Sequence, residues 1–274
     1  MQKALNRAGR GNTRRKGQQS GRPYNRVGNR APEGRGGATL DDVESRVLYI
    51  DAHLIVLNKP AGLAVHRGPK TPYSLEDWLP LLTFGFQRLP QPAHRLDRDT
   101  SGCLVLGRHP KAIRQLGLLF AEKAVKKTYW AVVEGHLPAN EGTIEAPLRK
   151  ISSKEAGWRM IAAADGETAV THYRVLGKSQ RRSWLELVPE TGRTHQLRVH
   201  CATLGHPIAG DLQYGDGLTS GASMMLHARE VSLKLSEASK PVTVTAPPPP
   251  GMADALKACG WAGDEEQAED MSDA

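Results

Sequence analysis

Apolar positions in this chain fall mostly in short runs, with few long helical stripes. Residues 47–50 and 54–58 are apolar runs flanking the polar turn 51–53, which predicts two paired strands. Further strand-like runs cover 103–107, 128–134, 158–163, 169–176, 184–188, 223–233 and 242–245. In 184–188, Trp and Glu alternate against Leu and Val, as in a strand with one buried face. Helical spacing is rarer. Pro110 opens a helix to about 123 with Ile113, Leu116 and Phe120 on one stripe. Ser74 is placed to cap a helix through 82, with Glu76 and Asp77 in its first turn. Thr194 is placed to cap a second helix, 194–204, on which Leu197, His200, Cys201 and Leu204 recur. Neighbouring strands with few helices between them predict an α+β domain with a mixed, largely antiparallel sheet and flanking helices.

The pattern stops at both ends. Residues 1–38 are Gly, Arg, Asn and Gln with almost no large apolar side chain, so they are expected to form a disordered arm. The run APPPP at 246–250 cannot continue a strand and is expected to close a domain covering 39–250. Beyond it, 251–274 reads as an acidic, mostly disordered tail with a weak helix around 254–259.

Charge sharpens this division. The net charge of +8 splits into +9 over residues 1–38, +5 over 39–250 and −6 over 251–274. A basic arm on a mildly basic body suits a polyanionic partner, RNA or DNA. The chain has no apolar stretch of membrane-spanning length and no secretory pattern at its start, so a cytoplasmic protein without membrane contact is expected. Three scattered cysteines, Cys103, Cys201 and Cys259, form neither a disulfide framework nor paired zinc ligands and are expected to be reduced. Nothing marks a large exposed apolar face, so the chain is expected to be a monomer.

Three segments concentrate chemistry. HRLDRDTSG at 94–102 places Asp97 between Arg95 and Arg98 in a loop that enters a buried strand, where flanking cations favour the ionised carboxylate. Thr100 or Ser101 can bond the loop backbone, and Gly102 permits close backbone approach. KKTYWAVVEG at 126–135 sets Lys126 and Lys127 ahead of Tyr129, a residue able to stack on a base and offer a hydroxyl. ETGRTHQLRVH at 190–200 sets Arg193 at a helix start, a position suited to a carboxylate or phosphate. By spacing alone, each segment is equally explained as an ordinary ion-paired loop, a rim tyrosine or a helix-start salt bridge. His195 and His200 are five residues apart and so do not share a helix face, and HExxH is absent, so no metal site is expected. The chain also lacks a Walker loop, a dinucleotide fingerprint and a GxSxG elbow.

Taken together and in order, these segments resemble the RluA-type pseudouridine synthase family. HRLDRDTSG is similar to its HRLD-x-x-TSG signature, KKTYWAVVEG to its K-x-Y-x-A-x-V-x-G strand, and ETGRTHQLRVH with GHPIAGDLQYG (205–215) to its third block. The opening pair ending in NKPAG at 58–62 fits as well, and the likeness spans roughly 45–246.

The resemblance implies a single catalytic domain with a central RNA cleft that isomerises uridine in ribosomal or transfer RNA. It implies Asp97 as the catalytic aspartate, Tyr129 as the residue stacking on the target base, and Arg193 as the basic residue paired with Asp97. Arg95 would fill the gap left by the extruded base. Leu197 would wall the pocket, and Lys127 and Thr100 complete the substrate-binding candidates. The product keeps every atom of the substrate, so the resemblance implies no cofactor. Relatives often carry a small RNA-binding module ahead of this domain. Here the basic arm stands in that place, which slightly favours short stem-loop targets. A non-catalytic RNA binder or another RNA enzyme would suit the same charge, but the first has no need of the trio Asp97, Tyr129 and Arg193. A deaminase would need HxE with PCxxC, which is missing.

Overall fold

Almost fully buried strands at the centre of the molecule set the frame on which the site is mounted. The computed structural model describes residues 40–68, 71, 73–153, 157–215 and 223–264. These all fall in one compact unit. The expected basic arm, and the end of the tail beyond Asp264, lie outside the described residues.

In chain order the elements are α1 (Leu40–Glu44), β1 (Val47–Ile50), β2 (Leu54–Lys59), β3 (Gln91–Pro92), β4 (Ser101–Gly107), α2 (Pro110–Ala121), β5 (Lys126–Glu134), β6 (Glu141–Glu145), β7 (Leu148–Ser153), β8 (Gly157–Ala162), β9 (Val170–Lys178), β10 (Arg182–Pro189), α3 (Gln196–Thr203), β11 (Leu226–Leu233), β12 (Val242–Thr245) and α4 (Pro250–Ala258). One sheet runs β1-β2-β4-β11-β5-β10-β9-β6, with β12 beside β11 and β3 beside β4. Every pairing is antiparallel except β4 with β11. β7 and β8 form a separate two-stranded ribbon. The α+β architecture is as expected, while α1, β3, β6 and β7 are additions to the reading from sequence.

β2 and β4 lie inside the sheet and are buried almost throughout. Leu54, Ile55, Leu57, Leu104 and Leu106 are fully buried, each contributing about 1.5–3 kcal/mol of burial. α2 begins where His109 Nδ1 accepts the Ala112 N–H, and Pro110 needs no hydrogen-bonded N–H in that first turn. Leu116 is its buried centre, flanked by half-buried Ile113 and Phe120.

Three expectations need correction. The expected helix over 74–82 is two short 3-10 turns, Leu75–Asp77 and Leu79–Leu82. Ser74 does cap the first, in a reciprocal capping box with Asp77. Pro80 lacks the N–H a continuous helix would use there and disfavours a helical Leu79. The helix expected over 194–204 starts at Gln196, and its cap position is His195, in the left-handed region at φ 54°, not Thr194.

The third correction concerns the domain's end. The packed chain continues past residue 250 as α4, whose Met252 and Leu256, with Cys259 and Trp261 beyond, cover Trp130 and Trp184. Trp130 meets Trp184 and Trp261 edge to face at centroid distances of 4.8 and 5.9 Å. The prolines are compatible with this because Pro250 occupies the helix's first turn. All three cysteines are free and buried.

Candidate active site

Strand register brings the first two chemical segments together. Gly102 at the start of β4 pairs with Ala228 of β11, and Ala228 pairs in turn with Tyr129 of β5. The loop carrying Asp97 therefore enters the sheet one strand away from Tyr129, at the same level. Gly102 has φ +105°, and a Cβ there would stand 2.3 Å from the Ala228 carbonyl oxygen, so only glycine allows this approach.

The loop itself is held by its neighbours. The Thr100 N–H donates to the Asp97 carbonyl at 3.2 Å, closing a turn. Lys59, at the end of β2, is fully buried and donates from Nζ to the carbonyls of Pro60, Leu63 and Arg98 at 2.8, 2.7 and 2.9 Å. Burial pushes its pKa down to about 7, against the pull of Asp99 and Asp97. Ser101 Oγ meets His227 Nδ1 at 2.8 Å. His94 accepts the Val105 N–H on Nε2 and stacks on Phe120, and burial pushes its pKa down to about 3, with Lys127 adding to the effect.

Asp97 is 17% exposed, and the arginines beside it in sequence do not hold it. Arg98 forks onto Asp99 at 3.0 and 3.2 Å. Arg95 is exposed at the mouth of the site. Arg193, expected to pair with Asp97, instead meets Glu167 at 2.5 Å and donates to the Thr168 carbonyl. The cation at Asp97 is Arg198, whose Nη1 lies 3.5 Å from Oδ2. Arg198 is itself fixed by Asp211, through Nε to Oδ2 at 2.7 Å and Nη2 to Oδ1 at 2.8 Å. Burial opposes the Arg198 charge, but the Asp211 carboxylate more than offsets it and its pKa is raised. Asp211 is held below its ordinary pKa by Arg198 and by the N–H groups of Gln213 and Tyr214, despite its burial.

This difference follows from the turn before α3. The Gln196 side chain accepts from Arg193 N–H and Thr191 Oγ1 and donates to the Val170 carbonyl. That turn directs Arg193 towards 167–168, while Arg198 lies in the first turn of α3 itself. His195 closes the site's other side: Nδ1 meets Tyr214 Oη at 2.9 Å and Nε2 lies 3.9 Å from Asp97. Burial lowers the His195 pKa, with Asp97 acting in the opposite sense.

A cavity of about 740 Å³ opens on Asp97, bordered by Tyr129, Lys127, Leu197, Arg193 and Arg95. All seven residues expected at the site line it, Thr100 among them, although Thr100 and Leu197 are buried and can act only as wall. Burial pushes the Tyr129 phenol up, with the Asp97 charge adding to the effect, so the hydroxyl keeps its proton. Burial also lowers the Lys127 pKa. Among the described residues no cluster of three or more His, Cys, Asp or Glu is arranged to hold a metal ion, and no helix is long and apolar enough to cross a membrane.

Residues 53–203 match the family described as RNA pseudouridylate synthase. An uncharacterised RNA pseudouridine synthase of Zymomonas mobilis is 51% identical over 211 residues, 76% of this chain and 96% of that protein. The large-subunit pseudouridine synthase C of Vibrio cholerae is 35% identical over 75% of this chain and 66% of its own length, so the match takes in just under two thirds of that longer relative. The structure of human RNA pseudouridylate synthase domain containing 4 superposes with a TM-score of 0.68 at 27% identity, over 80% of this chain and 95% of the human one. The sequence match and the shared fold, with the signature loop at the centre of the cleft, agree: the chain belongs to the RNA pseudouridylate synthase family, among its RluA-type enzymes.

Proposed function

We propose that this protein converts uridine to pseudouridine in ribosomal or transfer RNA, as a cytoplasmic monomer, with Asp97 as the catalytic carboxylate. The observation that carries the reading is the Asp97 carboxylate at the floor of the cavity. It is mostly shielded from water, with a locked guanidinium on one side and the Tyr129 ring on a bordering wall. A charge so placed acts without reorganising solvent.

The reaction breaks the bond from uracil N1 to the sugar, turns the ring and joins C5 to the same carbon, with the C5 proton released to solvent and a proton taken up at N1. The uracil must first leave its stack, at a cost of a few kcal/mol. Stacking on Tyr129 returns roughly 1–3 kcal/mol. Arg95, exposed and bordering the cavity, then fills the vacated stack. Arg198 sets a positive charge beside the Asp97 carboxylate and helps to aim it, and Asp211 keeps Arg198 from turning away. The protonated Tyr129 hydroxyl can give a hydrogen bond to the turning base.

The Vibrio cholerae relative is named for the large ribosomal subunit, which supports ribosomal RNA as the first substrate to try. The test is tritium release from RNA labelled at uracil C5, with ribosomal and transfer RNA as separate substrates. Release by the wild type and none by Asp97→Asn is expected. Release by the variant near the wild-type rate would remove Asp97 from the reaction. No release from any RNA would leave a binder that keeps the fold.

A further inference from the structure

Asp97 stands between two cavities. Behind the uridine cavity, across Arg95, Leu96, Asp97, His195 and Arg198, lies a second of about 780 Å³, bordered by the 61–67 loop and by Gln213. Tyr129 borders only the first, and the aromatic wall of the second is Trp158.

Trp158 is 42% exposed, whereas Trp130, Trp184 and Trp261 are buried and Trp78 is half-buried. A single exposed indole signifies little. Its placement signifies more. Its carbonyl accepts from Gln213 Nε2 at 3.0 Å, and two residues on the Met160 N–H donates to Tyr214 Oη at 3.0 Å. The same Tyr214 hydroxyl meets His195. The indole lies 5.0 Å from the His195 ring at an interplanar angle of 33°, and Lys150 Nζ stands over it at 4.9 Å. The ribbon β7–β8 is thus fastened to the catalytic neighbourhood at the residue that presents the indole.

The charges around this cavity are largely matched. Arg98 pairs with Asp99, Arg67 with Asp77, and Arg198 with Asp211, while His66 Nδ1 hydrogen-bonds Glu76. Such a wall is poorly suited to holding a phosphate alone. It suits a flat, neutral ring with polar edges, which stacks on the indole and meets those groups at its rim.

We infer that the second cavity is a subsite for a further unstacked nucleobase of the same RNA strand, held on Trp158, while the reacting uridine occupies the first. The inference rests on the reading of the first cavity as the uridine pocket. The Lys150 ammonium, exposed and weakly held over the ring, moves aside towards the strand's phosphate when the base arrives. Two bases splayed to either side of Asp97 require an RNA segment free of pairing at that point, so the substrate class is a loop or bulge rather than a continuous duplex.

The test uses the full chain and a hairpin RNA with a uridine-rich loop, alongside hairpins in which single loop nucleotides are abasic. Binding should quench tryptophan fluorescence, and one abasic position should abolish most of the quenching. Trp158→Phe should lose that signal yet bind nearly as well, because a ring remains. Trp158→Ala should bind roughly tenfold to a hundredfold more weakly and raise KM more than it lowers kcat in tritium release. Equal affinity of Trp158→Ala and wild type, or equal quenching by every abasic hairpin, would overturn the subsite. If tritium release is intact in that case, the uridine pocket stands without it. If no RNA releases tritium but one abasic position still removes the quenching, the base site stands and the isomerase reading falls.

Discussion

Arg198 and Asp211 are joined by two short hydrogen bonds, and the one guanidinium nitrogen left over points at Asp97. The arrangement makes Asp211 a positioning residue for a reaction it does not touch. Asp211→Asn keeps the shape but removes the charge that holds Arg198. Single-turnover assays should show kcat lowered about a hundredfold, the scale expected when a catalytic pair is misplaced, with RNA affinity little changed. Full activity in this variant would show that Arg198 needs no such anchor.

Arg193 and Arg198 can be told apart by substitution. Arg193 is partly exposed and bound to Glu167, so Arg193→Ala should cost no more than about 1 kcal/mol of stability and leave kcat near wild type. Arg198→Lys cannot reproduce the fork and should lose most turnover. Kinetics with the order reversed would return the catalytic pairing to Arg193.

Lys59 links the site to pH. Its pKa is lowered in the fold, so between about 7 and its ordinary value near 10.5 the unfolded chain binds the proton that the folded chain gives up. Stability from this group therefore rises with pH across that window and is lowest below it. Urea unfolding of wild type and Lys59→Met from pH 6 to about pH 10 should show a difference that shifts in favour of the wild type as pH rises. Near neutrality the variant, which leaves three carbonyls without their donor, should lose about 1–3 kcal/mol. A pH-independent difference would mean that Lys59 stays charged throughout.

Gly102→Ala tests the junction of β4 and β11. The positive φ and the Ala228 carbonyl both oppose a Cβ, so denaturant unfolding should show a loss of about 3 kcal/mol or more. Normal stability would mean that the two strands can part without penalty.

The segment from 250 onward is part of the packed chain, not an appendage. Trp261→Ala should lower stability by about 3–5 kcal/mol, read as a fall in Tm. An unchanged Tm would place the segment outside the cooperative unit.

What was legible in the sequence were the residues whose role is local. Asp97 and Gly102 sit in one contiguous segment that runs from a loop into β4, and Tyr129 sits near a strand start that its own pattern marks. Arg198 was missed because its meaning lies thirteen residues away, in Asp211. Two arginines share that segment, and only the fold of the 191–196 turn decides which one faces the carboxylate. Trp158 read as a plain strand residue, since nothing in its own strand reveals Tyr214 or Gln213 beneath it. β6 was missed because it is a short edge strand with a single buried position, Ile144. The weak helix read around 254–259 overlaps α4, but the acidic composition near the C-terminal end hid that Met252, Leu256 and Cys259 pack into the core.

The parallel pairing of β4 with β11 also governs when the site comes into being. Ser101 must wait for His227, and Asp97 for Arg198, so the contacts that make the centre close loops of about a hundred residues or more. Such closures are slow and form late relative to local hairpins. During synthesis, a chain that has emerged only through β10 carries its carboxylate and its tyrosine but neither their guanidinium nor the strand between them. If Asp97 acts as proposed, a chain that ends at β10 should be inactive, and activity should await docking of the segment that carries Arg198 and β11.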